Sequence, residues 1–213
     1  VLVLVGLAIA VLTERSTRAL VASSVGDTAQ SVAQSLDAAD NTNRELVQLT
    51  MKGFQRYFEA TMQLDEASGE LRSYGALVNE DYGSVDKFAS ETGGIATVFA
   101  KKGDDFVRIT TSVKNDKGER QMGTPLGRTD PAYATVSKGE PYTGVTLVNG
   151  KPFMGHYLPA KDASGKVIAL LFIGNDISVF HAMLQKQVAQ TKFFEHGGTY
   201  VINPGTSLDQ AVF

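Results

Sequence analysis

The chain has 213 residues, of which 43% are hydrophobic and 20% charged, so it can build the core of one domain or one and a half without a metal or a disulfide. Its formal net charge of −3 argues against a nucleic-acid partner, because such proteins normally present a basic surface. The absence of cysteine excludes thiol catalysis and thiolate zinc sites, but it does not assign a cellular compartment.

The opening run, VLVLVGLAIAVL at 1–12, contains no polar side chain. A helix that crosses a bilayer needs about 20 apolar residues, so this run alone is too short. It fits the second half of a transmembrane helix, the core of a signal peptide, or a buried helix or strand. No small-residue cleavage site follows it, and it passes directly into the polar segment 13–18. We therefore interpret 1–12 as the C-terminal part of a transmembrane helix.

Residues 13–64 are predicted to form one long amphipathic stalk helix. This segment has no proline, and its only glycines are Gly26 and Gly53. Apolar residues recur every three or four positions, which marks one stripe on a helix. The stripe consists of Val21, Val25, Ala29, Val32, Ala33, Leu36, Ala39, Leu46, Leu49 and Phe54. About 45 such residues make a rod roughly 70 Å long, whose stripe would pack on a domain of its own chain, a dimer partner, or both.

The remainder is predicted to be an antiparallel sheet with short helices. Asn149-Gly150 is a strong hairpin signal, and the apolar run 167–173 is typical of a central strand buried on both sides. Predicted strands cover 76–78, 96–100, 106–113, 142–147, 152–158 and 167–173, and predicted helices cover 84–90, 132–137 and 177–192. The fold class is therefore α+β, a long N-terminal helix followed by an antiparallel sheet with short inserted helices.

An ordered set of segments carries a specific resemblance. The segments are VFAKKGDDFVRITTS at 98–112, RQMGT at 120–124, DPAY at 130–133, GEPYTG at 139–144, YLPAKDASGKVI at 157–168 and FIGND at 172–176. Together they resemble the Cache 3/Cache 2 fusion sensor domain of methyl-accepting chemotaxis proteins, which are bacterial transmembrane receptors. GGTYVINPG at 197–205 is similar to the strand that opens the Cache 2 part. The resemblance implies a Cache sensor domain at 65–192 and an incomplete Cache 2 portion at 193–213, truncated at the C-terminus.

The resemblance also implies how the protein works. It implies a PAS-like fold that binds a small molecule on its sheet and signals as a homodimer through its helices. The N-terminal helix would hold the receptor in the bacterial inner membrane, with the sensor in the periplasm. We expect a small organic acid as ligand and no cofactor. The same sensor on a histidine kinase or a diguanylate cyclase, or a membrane-anchored adhesion domain without a ligand, remains an alternative.

The expected pocket needs fixed donors for a carboxylate, and Arg108 is the first candidate. Strict alternation along its strand places Phe106, Thr110 and Ser112 on the same face as Arg108. Arg-Ile-Thr-Thr also lies where citrate- and dicarboxylate-type Cache sensors place an anion-binding arginine. The alternative is an arginine at the sheet edge or one paired with an aspartate. The candidate ligand contacts are Arg108, Thr110, Arg120, Thr124, Tyr133, Tyr142, His156 and Tyr157.

The pair Gly155-His156 departs from the pattern, since members of the family tend to carry Thr-Lys before the tyrosine. One cationic donor is thereby lost, which disfavours a multiply charged ligand. A neutral histidine would suit a monocarboxylate or respond to pH, and the alternative is a strand histidine without a role.

Catalysis is not expected. The chain has only three histidines and no Gly-x-Ser-x-Gly elbow, phosphate loop or dinucleotide fingerprint. No residues have the spacing of metal ligands, because Glu195-His196 has no partner at helical distance. We therefore expect neither enzyme activity nor a metal site.

Overall fold

The structure is a computed structural model that describes residues 2–190, 192–193 and 197–198, with the side chains of 13–190. The chain divides into two compact units, one of Val1–Asp40 with Phe180–Phe213 and one of Asn41–Val179. The first unit contains most of helix α1 (Leu2–Gln55), most of helix α4 (Ser178–Gln190), and a small antiparallel pair, β9 (Lys192–Phe193) with β10 (Gly197–Gly198).

Two predictions concern this first unit. Within the described part of the chain, no helix is both long and apolar enough to cross a membrane. The interpretation of 1–12 concerns side chains outside that part, and it stays a prediction. Apart from β9 and β10, the proposed start of the Cache 2 portion at 193–213 also lies outside the described residues.

The second unit begins in α1, which ends at Gln55, earlier than the predicted boundary at 64. Backbone hydrogen bonds of Arg56, Tyr57 and Phe58 close the helix in a turn. A three-stranded antiparallel sheet follows, in the order β1-β2-β3. Its strands are β1 (Gln63–Asp65), β2 (Glu70–Ser73) and β3 (Ala76–Leu77). The sequence indicated only β3, because β1 and β2 are short and lack an apolar alternation.

A five-stranded antiparallel sheet, the main sheet, forms the body of this unit. Its elements are α2 (Gly83–Thr92), β4 (Ile95–Lys102), β5 (Asp105–Thr111), α3 (Tyr133–Val136), β6 (Tyr142–Val148), β7 (Lys151–Lys161) and β8 (Val167–Asp176). The strand order is β5-β4-β8-β7-β6, so the apolar strand β8 is central, as predicted. The α+β class with short inserted helices is likewise confirmed.

The two faces of the main sheet differ in what covers them. The cavity face carries Phe99, Tyr157, Leu170 and Phe172, which pack with Phe106, Leu126, Ala132 and Val136. The helix face carries the alternate residues, including Val98, Leu171 and Ile173. Arg44 of α1 reaches the carbonyl of Thr143 in β6, and α2 packs against β4. The helix face is thus covered by the two helices, and the cavity face by α3 and the segment before it.

A β-bulge in β5 overturns the predicted alternation around Arg108. Arg108 pairs with Phe99, whereas Thr110 pairs with the adjacent Val98, so Ile109 has no counterpart in β4. Directly paired residues share a face and consecutive residues alternate, so Arg108 lies on the cavity face and Thr110 on the helix face. The prediction that both lie on one face was wrong.

Candidate functional site

A cavity of about 160 Å³ lies on the cavity face of the main sheet. Its walls come from β4, β5, β8 and the β6–β7 hairpin, and from the segment 113–130 that connects β5 to α3. The polar lining side chains are Arg108, Gln121, Asp130, Thr146, Asn149 and Tyr157. Apolar walls are formed by Phe99, Val113, Leu126 and Phe172. The cavity therefore combines a few polar groups with apolar sides, as small-molecule sites do.

Arg108 is the cation of this cavity. Its Nη1 donates to the backbone carbonyl of Gln121 at 3.1 Å and to the Oε1 atom of Gln121 at 3.2 Å. The guanidinium also lies 5.4 Å from the ring centroid of Phe99. Its Nε is buried without a hydrogen-bond partner among the described residues. Burial lowers the pKa of Arg108, because the protein interior solvates the charge less well than water does.

Gln121 and Asn149 hold this arginine in place, and the sequence did not single them out as contacts. Gln121 Nε2 donates to Asn149 Oδ1 at 2.7 Å, and Asn149 Nδ2 donates to the carbonyl of Lys114 at 2.8 Å. Asn149 has a φ of 51°, the left-handed conformation that the hairpin dipeptide predicts. Gln121 belongs to the RQMGT segment that carries the family resemblance, and this was the feature of the sequence that could have identified it.

Tyr157 lines the cavity together with Arg108. Burial raises the pKa of Tyr157 above its ordinary value, and the charge of Asp130 acts in the same direction. The phenol is therefore neutral and can donate a hydrogen bond. Its ring packs 4.4 Å from the centroid of Phe172. Asp130 and Thr146 complete the polar lining, and neither was among the predicted contacts.

Tyr142 and Tyr133 pack near the cavity but do not line it. The ring centroids of Tyr142 and Tyr157 are 6.4 Å apart. The hydroxyl oxygen of Tyr142 is 2.5 Å from the position that a Cβ on Gly144 would occupy, so the tyrosine ring lies over that glycine. Tyr133 packs against the cluster of the cavity face, and its hydroxyl donates to the carbonyl of Asp104 at 2.8 Å. In the described structure the rings of both tyrosines therefore pack against neighbouring side chains.

Arg120 and Thr124 lie outside the cavity. Arg120 forms two hydrogen bonds of 2.7 Å with the carboxylate of Asp86, and it donates to the carbonyl of Thr111 at 2.7 Å. The bonds from Arg120 lower the pKa of Asp86. Thr124 is exposed, and its hydroxyl donates to the carbonyl of Gln121 at 3.3 Å. Arg120 thus links the 113–130 segment to α2. From the sequence we had considered an aspartate partner for Arg108, but not for Arg120.

Thr110 and His156 lie on the helix face, across the sheet from the cavity. The hydroxyl of Thr110 donates to the carbonyl of Asp81 at 2.8 Å. His156 Nδ1 lies 2.7 Å from the hydroxyl of Thr143, and burial lowers the pKa of His156. Of the predicted contacts, the structure therefore brings only Arg108 and Tyr157 into the cavity.

Thr143 connects His156 to helix α1. Its carbonyl accepts a hydrogen bond from Arg44 Nη1 at 2.6 Å, and its hydroxyl accepts one from Gln48 Nε2 at 3.2 Å. Thr143 and His156 directly adjoin Tyr142 and Tyr157 along β6 and β7. Strand β6, which contributes to the cavity wall, is thus hydrogen-bonded to α1 through Thr143.

Solved structures similar to this chain come from the Campylobacter jejuni chemoreceptor Tlp3. Its ligand-binding domain in complex with L-valine has 13% identity and a TM-score of 0.36, over 75% of this chain and 67% of that chain. Its sensory domain has 10% identity and a TM-score of 0.35, over 75% of this chain and 68% of that chain. Among curated proteins, no sequence matches the chain.

The sequence pattern of the Cache 3/Cache 2 fusion domain matches residues 11–212. This range includes the described part of α1 from residue 11 onward, the three-stranded sheet and the main sheet with its cavity. The family identified from the ordered segments at 98–176 is thereby confirmed. The chain belongs to the Cache 3/Cache 2 fusion domain family and is a Cache sensor domain.

Proposed function

We propose that this chain is the extracytoplasmic sensor of a bacterial methyl-accepting chemotaxis receptor and that it binds a small molecule through a carboxylate. The observation that carries the proposal is Arg108, which lines a cavity and whose buried Nε lacks a hydrogen-bond partner among the described residues. A planar guanidinium matches a carboxylate in geometry and charge. A bound carboxylate would offset the cost of burying this cation.

The size and lining of the cavity favour a small ligand. Its volume of about 160 Å³ is below the range of roughly 300–1,000 Å³ typical of pockets for drug-sized molecules. The neutral phenol of Tyr157 supplies a second donor for the carboxylate. The apolar walls, including Phe99 and Phe172, suit a short hydrocarbon portion.

The proposed signal leaves the cavity through β6 and β7. Ligand contacts with Tyr157 and Thr146 would favour one arrangement of these strands. Thr143 and His156 lie next along the same strands, and Arg44 and Gln48 of α1 bind Thr143. A coupling free energy of about 1–3 kcal/mol is typical of such linkage. Helix α1 would then carry the change to the inner membrane, within a homodimer.

A ligand screen tests the proposal. The intact receptor ectodomain is titrated with mono-, di- and tricarboxylates while its thermal unfolding is followed. A ligand at 100 times its dissociation constant stabilises the folded state by about 2.7 kcal/mol. We expect at least one small acid to do so, and we expect Arg108→Gln to abolish the effect.

Arg128→Gln is the matched control, because Arg128 is an exposed arginine that pairs with Asp105 outside the cavity. The control removes the same charge and should leave the stabilisation intact. The proposal fails if no acid stabilises the ectodomain, or if Arg108→Gln and Arg128→Gln behave alike.

A further inference from the structure

A chain of hydrogen bonds joins helix α1 to the buried imidazole of His156 on the helix face of the main sheet. Gln48 Nε2 donates to the hydroxyl oxygen of Thr143 at 3.2 Å, and the same oxygen lies 2.7 Å from His156 Nδ1. Arg44 Nη1 donates to the carbonyl of Thr143 at 2.6 Å. Thr143 is therefore the residue through which α1 and His156 are connected, and one hydroxyl group serves both.

The direction of the Thr143–His156 bond depends on the protonation state of the imidazole, because the hydroxyl has one proton. When Nδ1 carries no proton, the hydroxyl donates to Nδ1 and keeps its lone pairs for the N–H of Gln48. When the imidazole is protonated, both ring nitrogens are donors, and Nδ1 donates to the hydroxyl oxygen instead. The hydroxyl proton must then take one of the two remaining directions, of which one is occupied by Gln48. The observed chain therefore fits a neutral imidazole.

The surroundings of His156 also favour the neutral form. The side chain is 8% exposed, and no carboxylate forms an ion pair with it among the described residues. Its cross-strand partners on β6 and β8 are uncharged, namely Thr143 and Ile173. Burial lowers the pKa of His156, because the charged imidazole is poorly solvated there.

The charged groups near this position come from α1, since α2 packs against β4 and β5. Arg44 is the charged side chain that contacts Thr143, and it is a cation. Asp40 lies one turn before Arg44 in the same helix, and the other charged residues of 41–55 are exposed, namely Glu45 and Lys52. A proton on His156 therefore adds a positive charge next to a contact that already contains one.

We propose that His156 is a pH-dependent switch of the contact between the main sheet and α1. The neutral imidazole holds the 41–55 part of α1 against β6 through Thr143, and protonation releases this contact. The inference does not rest on the ligand, because His156 and Thr143 lie on the face of the sheet opposite the cavity. Acidity is thus a second input to the sensor.

The sign follows from the lowered pKa of His156 in the closed contact. The contact is closed at neutral pH and opens as the pH falls from the ordinary histidine value of 6.5 toward the lowered one. Linkage limits the size of the effect. For a group with an ordinary histidine pKa in the open state, the opening equilibrium can rise by at most roughly 30-fold between pH 7.5 and pH 5.0.

Hydrogen exchange on the intact wild-type ectodomain tests the switch at these two pH values, after correction for the intrinsic pH dependence of amide exchange. We expect the amides of 41–55 to lose protection by about tenfold at pH 5.0, and those of the central strands β4 and β8 to change by less than about threefold. Such a pattern is a local release of α1. An equal loss of protection throughout the main sheet would show general destabilisation, and it would overturn the switch, as would no loss in α1.

Two substitutions assign the effect to the chain of hydrogen bonds. His156→Asn keeps an uncharged acceptor near the Nδ1 position, so the loss of α1 protection between the two pH values should fall to less than about twofold. His181→Asn, at an exposed histidine of α4, is the matched control and should behave as the wild type. A wild-type response in His156→Asn would overturn the proposal.

Gln48→Ala provides a second variant at an exposed position, where folding is not at risk. It removes the donor on α1 and leaves His156 in place. We expect the protection of 41–55 at pH 7.5 to fall toward the wild-type level at pH 5.0, and the difference between the two pH values to shrink. If Gln48→Ala retains the full wild-type difference, the hydrogen-bond chain does not carry the switch and the proposal is overturned.

Discussion

Arg108 and Thr110 are two residues apart in strand β5, yet their side chains lie on opposite faces of the main sheet. Arg108 pairs with Phe99 and Thr110 with Val98, and the unpaired residue between them is Ile109. The carbonyl of Ile109 accepts a hydrogen bond from the backbone N–H of Glu80 at 2.9 Å, which holds the extra residue from outside the sheet. The bulge therefore assigns Arg108 to the cavity and Thr110 to the packing of the helix face.

Matched threonine substitutions test this division of the faces. Thr110→Val removes the hydrogen bond to the Asp81 carbonyl, so we expect it to lower the free energy of unfolding by about 1–2 kcal/mol. Ligand affinity should stay within about twofold. Thr146→Val, in the cavity lining, should instead weaken ligand binding about three- to tenfold with little change in stability. Urea denaturation and calorimetry measure the two quantities, and a loss of affinity in Thr110→Val alone would contradict the assignment of faces.

The Arg120–Asp86 pair is expected to stabilise the domain without contributing to the ligand site. A double-mutant cycle with Arg120→Ala and Asp86→Ala should give a coupling energy of about 0.5–1 kcal/mol, because the pair is bidentate but half exposed on the Asp86 side. Hydrogen bonds from Arg120 lower the pKa of Asp86, so the stabilisation is present above the ordinary aspartate pKa and is lost as the pH falls through the folded-state value. Unfolding measured at pH 7 and pH 3 checks the sign. Ligand affinity should be unaffected in Arg120→Ala. A large loss of binding would show that Arg120 belongs to the ligand site.

Gly155 is required for packing on the cavity face. A Cβ at this position would lie 2.9 Å from Cγ2 of Thr146 and 3.0 Å from Cε2 of Phe172, so these side chains would have to shift to admit it. We expect Gly155→Ala to lower the free energy of unfolding by about 1–3 kcal/mol through overpacking. Gly53→Ala is the control, since no atom lies within 4 Å of a Cβ there and the position is helical. Gly53→Ala should raise the free energy of unfolding by about 0.5–1 kcal/mol. If Gly155→Ala and Gly53→Ala change this free energy equally, the packing argument is refuted.

His156 should make the stability of the domain depend on pH. Burial lowers its pKa in the folded state, so below the ordinary histidine value of 6.5 the unfolded chain binds more protons than the folded one. Stability therefore falls as the pH decreases from about 6.5 toward the folded-state pKa. Arg44, which binds the carbonyl of the neighbouring Thr143, adds a positive charge on the same side. When the pH is lowered from 7.5 to 5.5, the free energy of unfolding should fall less in His156→Gln than in the wild type. Equal losses in thermal unfolding at these two pH values would show that His156 is not the titrating group.

The regular elements were largely predictable because their signals are local. The apolar run at 167–173 requires burial on both sides, and β8 is the central strand of the main sheet. Asn149-Gly150 specifies the β6–β7 hairpin, since this turn needs a left-handed backbone that these residues tolerate. The strands β1 and β2 were not predicted because they form through pairing with each other and with β3, and three or four polar-rich residues carry no periodicity.

The site was predictable only in part. Arg108 and Tyr157 were identified from residue type and strand position, and both line the cavity. Gln121, Asp130, Thr146 and Asn149 lie on three different segments, and no local pattern indicates that they meet. Arg120 and His156 were chosen for their charge, but Arg120 pairs with Asp86 and His156 faces the helices.

By itself the sequence determined the family, the α+β class and the central strand, and it predicted Arg108 as a ligand contact. The family match over 11–212 supports that reading. Only the tertiary structure decided which side chains share the cavity with Arg108. The physical reason is that one unpaired residue, Ile109, reverses the alternation of faces in β5, and the long connection from β5 to α3 brings Gln121 and Asp130 to the sheet. Neither effect can be derived from spacing along the chain, because both depend on how distant backbone segments pair.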